Sequence, residues 1–228
     1  MKTTAIERRK IIDFLRVLKK NNERTWFKAN RALYDEAAEI FNRMAAELIN
    51  AIAAFDTDVQ GIEVKQTTYR IYRDTRFSND KSPYKTHIGS FINPRGIKSP
   101  HLGYYLHIEP DESMIACGGY WLPSDALFAV RNEIVADPQR LLNIMEDSDF
   151  QKFYGNTIGF DCLKTIPKGF PKDFPHPALI RPRAYCVSMP LSDDEITNDD
   201  WLDRAISACR AAKPFMDYIN ETVDDYID

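Results

Sequence analysis

Five cations fall within the sixteen residues from Arg70 to Lys85: Arg70, Arg73, Arg76, Lys81 and Lys85. They stand in the run Tyr69-Arg70-Ile71-Tyr72-Arg73-Asp74-Thr75-Arg76-Phe77, continued by Lys81-Ser82-Pro83-Tyr84-Lys85. Guanidinium groups grip phosphate and carboxylate through parallel hydrogen bonds from a rigid fork, and lysines add point charges. The cluster therefore suits recognition of a small anion, most naturally one bearing phosphate. Tyr84 joins the ligand-binding set, as does Arg183 from a second basic stretch, while Asp74 is placed to orient an arginine rather than to touch the anion. The same residues also fit an Arg–Tyr–Asp network that ties a sheet to acidic helices, because structural ion pairs gather charges too.

Acid–base chemistry points to two histidines. His87 shares a strand face with Lys85, and His107 shares one with Tyr105 and Glu109. An imidazole titrates near neutrality, so His87 and His107 are the catalytic acid–base candidates if the protein turns a ligand over. With Glu109 they also have the composition of a two-histidine, one-carboxylate metal site. The surrounding lysines and arginines would repel a divalent cation, so the expectation is no metal. Cys117, Cys162, Cys186 and Cys209 are far apart, without the close pairs that zinc sites use, and read as buried reduced thiols. No phosphate-binding glycine loop, dinucleotide turn or His-Glu-x-x-His is present. Ser78-Asn79-Asp80-Lys81 matches an acyl-enzyme pattern but lacks its companion triplets. No cofactor is expected.

These residues need elements to hold them. Thr4 to Glu7 is a capping box, and Ile11, Phe14, Leu15 and Leu18 follow at helical spacing, which predicts a helix over 5–20. Asn21-Asn22 breaks it, Trp26 and Phe27 form a plug, and Tyr34, Ala37, Phe41, Met44, Leu48, Ile52 and Phe55 mark a second, longer helix. Strands are predicted at 67–72, 86–92, 103–109 and 113–120, the last two joined as a hairpin through Pro110-Asp111-Glu112. Phe77, Phe91 and at least one of Tyr104 and Tyr105 are expected in the core. Helices follow from a Ser124 cap, from Asp137-Pro138 and over 148–154. Residues 155–182 hold five prolines and read as a long loop. A fifth strand at 183–189 precedes a final helix kinked at Pro214. The result is one α+β domain, with an antiparallel sheet of about five strands flanked by N- and C-terminal helices. Its parts are N-terminal helices (1–56), main sheet (65–121), helices (124–154), loop (155–182), and strand with C-terminal helix (183–228).

Composition narrows the function. The 228 residues are 44% hydrophobic and 28% charged, as in ordinary globular proteins, which excludes wholesale disorder and disulfide-dense scaffolds. The net charge of −4 conceals a net of +6 over residues 65–101 and +3 over 155–183. An acidic chain with its cations concentrated in this way presents a local field rather than a duplex-binding surface. No run is long and apolar enough to span a bilayer, and the first residues lack a signal core, so a cytoplasmic location is expected.

The chain also resembles a family of proteins catalogued as domain of unknown function 2461. The resemblance rests on Asn21-Asn22, Trp26-Phe27, Arg70-Ile71-Tyr72-Arg73-Asp74-Thr75-Arg76-Phe77-Ser78, Asp80-Lys81 and Pro83-Tyr84-Lys85-Thr86-His87. It continues through Gly103-Tyr104-Tyr105-Leu106-His107, Glu109-Pro110, Gly118-Gly119, Trp121, Pro167-Lys168-Gly169-Phe170-Pro171, Ser188 and Pro190-Leu191-Ser192. It implies a single α+β domain of about this length and assigns no activity. The leading expectation is thus a basic pocket for a small anionic ligand. The alternative is an interaction module that docks an acidic protein or RNA segment on a basic face; nucleic acid is the less expected partner, and no membrane partner is expected.

Overall fold

The Thr4 hydroxyl accepts from the Glu7 N–H while the Glu7 carboxylate accepts from the Thr4 N–H, which starts helix α1 (Ala5–Lys20). Asn21 closes α1, and a short helix α2 (Arg24–Ala29) intervenes before the long α3 (Arg31–Ile52). Trp26 and Phe27 therefore lie on a short helix of their own, from which Phe27 enters the core and Trp26 packs against it. This computed structural model describes residues 2–227.

Strands β1 (Ile88–Ile92), β2 (Gly103–Ile108) and β3 (Ser113–Gly118) follow. Helices α4 (Ser124–Ala136), α5 (Pro138–Glu146) and α6 (Ser148–Tyr154) precede β4 (Gly159–Cys162), α7 (Pro177–Ile180) and β5 (Pro182–Leu191). The chain ends in α8 (Asp193–Thr197) and α9 (Trp201–Ile227), with Pro214 inside α9. The five strands form one antiparallel sheet in the order β1-β2-β3-β5-β4, so the α+β expectation holds. No helix among the described residues is long and apolar enough to cross a membrane.

Strand alternation sorts the sheet into two faces. Ile92, Tyr104, Leu106, Ile115, Val187 and Met189 are buried toward the helices, where Phe41, Phe215 and Trp201 fill the core. The opposite face carries Phe91, Tyr105, Met114 and Cys186, all half-buried, with Ser188 and Pro190 exposed. Polar chemistry on β1 and β2 is thus presented on a rigid sheet with solvent at hand.

Several expectations need correction. Residues 67–72 do not form a strand. They run beside residues 84–90 with bridges only at Thr68–Ser90 and Tyr72–Tyr84. Those bridges are four residues apart on one side and six on the other, and this bulge prevents a continuous ladder. The proline-rich 155–182 stretch is not loop throughout, since it supplies edge strand β4 and helix α7. Ser124 does not cap α4; Pro123 occupies the cap position with no side-chain bond. Phe77 is 96% exposed, Phe91 is half-buried, and Tyr104 takes the core position beside a half-buried Tyr105. All four cysteines are free; Cys117 and Cys209 are buried, Cys186 is half-buried, and Cys162 is exposed on the edge strand.

Candidate functional site

Asn22, just ahead of α2, uses its side-chain amide as a strand would use its backbone. Its Nδ2 donates to the Tyr84 carbonyl (2.9 Å) and its Oδ1 accepts from the Tyr84 N–H (3.1 Å). One turn into α2, Phe27 stacks on the Tyr84 ring with centroids 4.0 Å apart and planes 17° apart. Each such contact contributes on the order of 1 kcal/mol. Together they hold α2 against the segment that carries the basic motif.

Between α2 and that segment opens a cleft of about 820 Å³. Arg24 and Lys28 line it from α2, Arg73 and Lys81 from the loop, and Tyr72 and Tyr84 supply ring surface. Glu23 is the one carboxylate among its described lining residues. Neither Arg24 nor Lys28 has an acidic partner within ion-pair distance among the described residues. Sequence reasoning missed both. Their spacing of four on a helix, which places them on one face, was the available signal; nothing local showed what that face meets.

The predicted ligand-binding residues divide. Arg73, Lys81 and Tyr84 reach the cleft. Arg73 is ion-paired with Asp80, and Lys81 Nζ donates to the Thr75 carbonyl (2.9 Å). Arg76 instead folds onto Asp74 (2.6 Å) at the exposed loop tip, so Asp74 does orient an arginine, but one outside the cleft lining. These pairs stay inside the loop and do not reach the acidic helices. Arg70 is exposed. Lys85 lies over the Tyr69 ring (5.3 Å), and burial together with Arg70 lowers its pKa. Arg183 sits at the far end of the sheet, paired with Asp161 (3.3 Å) in a second cleft beside Trp121 and Phe160. His101, by contrast, is a tie: its Nε2 bonds Asp224 on α9 (2.9 Å) and its Nδ1 bonds Ser99 (2.7 Å).

The acid–base candidates meet each other rather than the cleft. The β1–β2 register pairs Ile88 with Ile108 and Gly89 with His107, and one further step brings His87 beside Glu109. His107 Nε2 lies 3.2 Å from Glu109 Oε2, His87 Nδ1 lies 3.7 Å from the same oxygen, and the two imidazole centroids are 4.4 Å apart. Behind them, the Tyr105 hydroxyl bonds His107 Nδ1 (2.9 Å) and the Thr86 hydroxyl donates to Glu109 Oε1 (2.7 Å). Gly89 makes room for this arrangement, since a Cβ there would collide with the Tyr105 hydroxyl.

Burial pushes the His87 pKa down to about 4, with neighbouring His107 and Lys85 adding to the shift and Glu109 opposing it. Burial lowers His107 as well, against the hydrogen bond to Glu109. Burial alone would raise Glu109, but the hydrogen bonds from Thr86 and His107 hold it below the usual carboxylate range. The cluster at neutral pH is therefore a carboxylate with two neutral imidazoles. In the unfolded chain His87 takes up a proton near pH 6.5, whereas in the folded chain it resists until about pH 4. Over that window the unfolded state binds more protons, so stability is full above pH 6.5 and falls as the solution is acidified. Urea melts between pH 7.5 and 4.5, with chelator present, should show this loss, and His87→Gln should reduce it. An equal acid loss in the variant would contradict the assignment.

A sequence model of the family described as "Conserved hypothetical protein (DUF2461)" matches residues 10–218, so the chain belongs to that family. No curated protein and no solved structure matches the chain.

Proposed function

We propose that this member of the DUF2461 family binds a small anionic ligand, most naturally a phosphate ester, in the cleft between α2 and the 72–84 loop. One observation carries the reading: Arg24, Lys28, Arg73 and Lys81, from two separate elements, line one cleft with Glu23 as its described acidic residue. Like charges held together in a concave site raise the local concentration of anions, and a low-dielectric wall of Tyr72 and Tyr84 strengthens the attraction. Among the described residues Arg24 and Lys28 have no carboxylate within ion-pair distance, so an incoming anion need not displace such a pair to reach them. Arg73 is held in place by Asp80, which leaves other N–H groups of its fork for a ligand.

A ligand held by the native state at one hundred times its dissociation constant adds about 2.7 kcal/mol of stability. Thermal shifts at constant ionic strength should therefore rise with concentration for some member of a panel of sugar phosphates, nucleotides and inorganic phosphate. A flat response across the panel would remove the pocket reading.

Phe77 favours a second reading. It is 96% exposed on the same loop, with the Arg76 guanidinium 5.8 Å from its ring. A solvated aromatic beside a cation is a docking contact for an acidic protein or RNA segment. Under that reading the panel stays silent while an acidic polymer binds, and Phe77→Ala weakens the binding.

A further inference from the structure

We propose that His87, His107 and Glu109 form a binding site for one divalent transition-metal ion, on the sheet face turned away from the helices. The site is independent of the anion cleft, because none of the three residues is among the described residues lining it.

Geometry is the first ground. One ligand atom from each residue lies within 4.8 Å of the others, and two of the edges, at 3.7 and 3.2 Å, meet at Glu109 Oε2. Neighbouring ligand atoms around a metal with bonds of ~2.1 Å stand roughly 3.0–3.4 Å apart. Small side-chain rotations therefore close the triangle on an ion.

The surrounding hydrogen bonds are the second, independent ground. A metal-binding histidine usually has its other ring nitrogen held by a hydrogen-bonding partner, and a binding carboxylate is itself hydrogen-bonded. Tyr105 holds His107 at Nδ1, which leaves Nε2 aimed at Glu109, and Thr86 holds Glu109 at Oε1, which leaves Oε2 aimed at both rings. The Gly89 backbone, without a Cβ, is what allows the Tyr105 hydroxyl to reach that position. Two backbone-paired strands fix the frame, and the His87 side chain, 32% exposed, leaves the outer coordination positions open to solvent or substrate.

The fold takes Arg73, Arg76 and Lys81 out of the charge set against a metal, while Lys85 still acts on His87. Arg73 and Arg76 are paired with Asp80 and Asp74 on the loop, and Lys81 is turned to the Thr75 carbonyl. Lys85 is the cation that neighbours His87, and it packs over the Tyr69 ring. Two imidazoles and one carboxylate select ions such as Zn²⁺, Fe²⁺ or Co²⁺ over Mg²⁺ and Ca²⁺, which prefer all-oxygen shells. Three protein ligands with open positions are the arrangement of reactive metal centres rather than of closed structural ones.

The test uses the full chain stripped with chelator and titrated with Co²⁺ and Zn²⁺ by calorimetry and visible absorption. The expected result is saturable binding at one ion per chain, with cobalt ligand-field bands on loading, a rise in melting temperature with Zn²⁺, and no comparable rise with Mg²⁺. Glu109→Gln and His107→Gln should each weaken binding at least 10-fold, while His176→Gln, outside the cluster, should leave it unchanged. Tyr105→Phe, which keeps all three ligands, should weaken it by a smaller factor while the circular dichroism spectrum stays that of wild type. Absence of stoichiometric Co²⁺ or Zn²⁺ binding, or binding that survives Glu109→Gln and His107→Gln, would overturn the proposal.

Discussion

Arg73→Met is expected to weaken phosphate-ester binding about 10- to 150-fold, the range for a lost charged hydrogen bond of ~1.5–3 kcal/mol. Stability of the unliganded protein should stay within about 1 kcal/mol of wild type. The second half of the expectation comes from the partner. Arg73 pairs with Asp80, whose side chain is 60% exposed, so the carboxylate left behind is solvated by water. Exposed pairs of this kind contribute little to folding, and methionine keeps the apolar stem of the arginine. Had the partner been a buried helix carboxylate, its abandonment would have cost roughly 3–5 kcal/mol. Urea melts without ligand, alongside calorimetric titration of the ester, read both quantities from the same variant. A loss of several kcal/mol with no change in affinity would make Arg73 a structural residue.

The largest stability effect is expected at Arg8→Met. Arg8 lies on α1 with its side chain only 2% exposed. Its Nε donates to the Ile196 carbonyl (2.7 Å), one terminal nitrogen to the Asn198 carbonyl (2.9 Å) and the other to the Thr3 carbonyl. The guanidinium also lies 5.8 Å from the Trp201 ring. It therefore joins the N-terminal segment to α8 and the start of α9 by satisfying backbone acceptors left over at a helix end. Methionine fills much of the volume but donates nothing, which leaves these carbonyls unsatisfied at about 1–3 kcal/mol each. Because such costs overlap, a loss of roughly 3–5 kcal/mol is expected from denaturant melts. A loss below about 1 kcal/mol would mean that water replaces the guanidinium.

Arg8 illustrates what sequence reasoning can and cannot reach. The capping box and the apolar stripe of α1 are local patterns, and they place the helix correctly; a charged residue within that stripe looks solvent-facing until α8 is known to pack over it. The β2–β3 hairpin was legible for the same reason, since its turn residues and alternation are contiguous. Strand β4 was hidden because two of its four residues are Asp and Cys and its ladder depends on β5, more than twenty residues later. Phe77 looked like core by residue type, yet it sits on an exposed loop tip beside the Asp74–Arg76 pair and is 96% exposed.

The candidate site divides in the same way. The basic motif and both histidines were visible as residue types, and Arg73 and Lys81 do line a cleft. Arg24 and Lys28 were not found, because their place in the cleft depends on the Asn22–Tyr84 clamp across sixty-two residues of chain. The grouping of His87 with His107 and Glu109 was visible in the residue types, and the β1–β2 register, which alternation alone does not fix, brings them together.

Anomalous diffraction from crystals soaked in tungstate, a heavy analogue of phosphate and sulfate, tests the anion cleft most directly. The expected result is one dominant peak within hydrogen-bond distance of Arg73 and Lys28, lost in crystals of Arg73→Met and displaced by competing phosphate ester. A peak at Arg70, Arg76 or Arg183 with nothing in the cleft would contradict it.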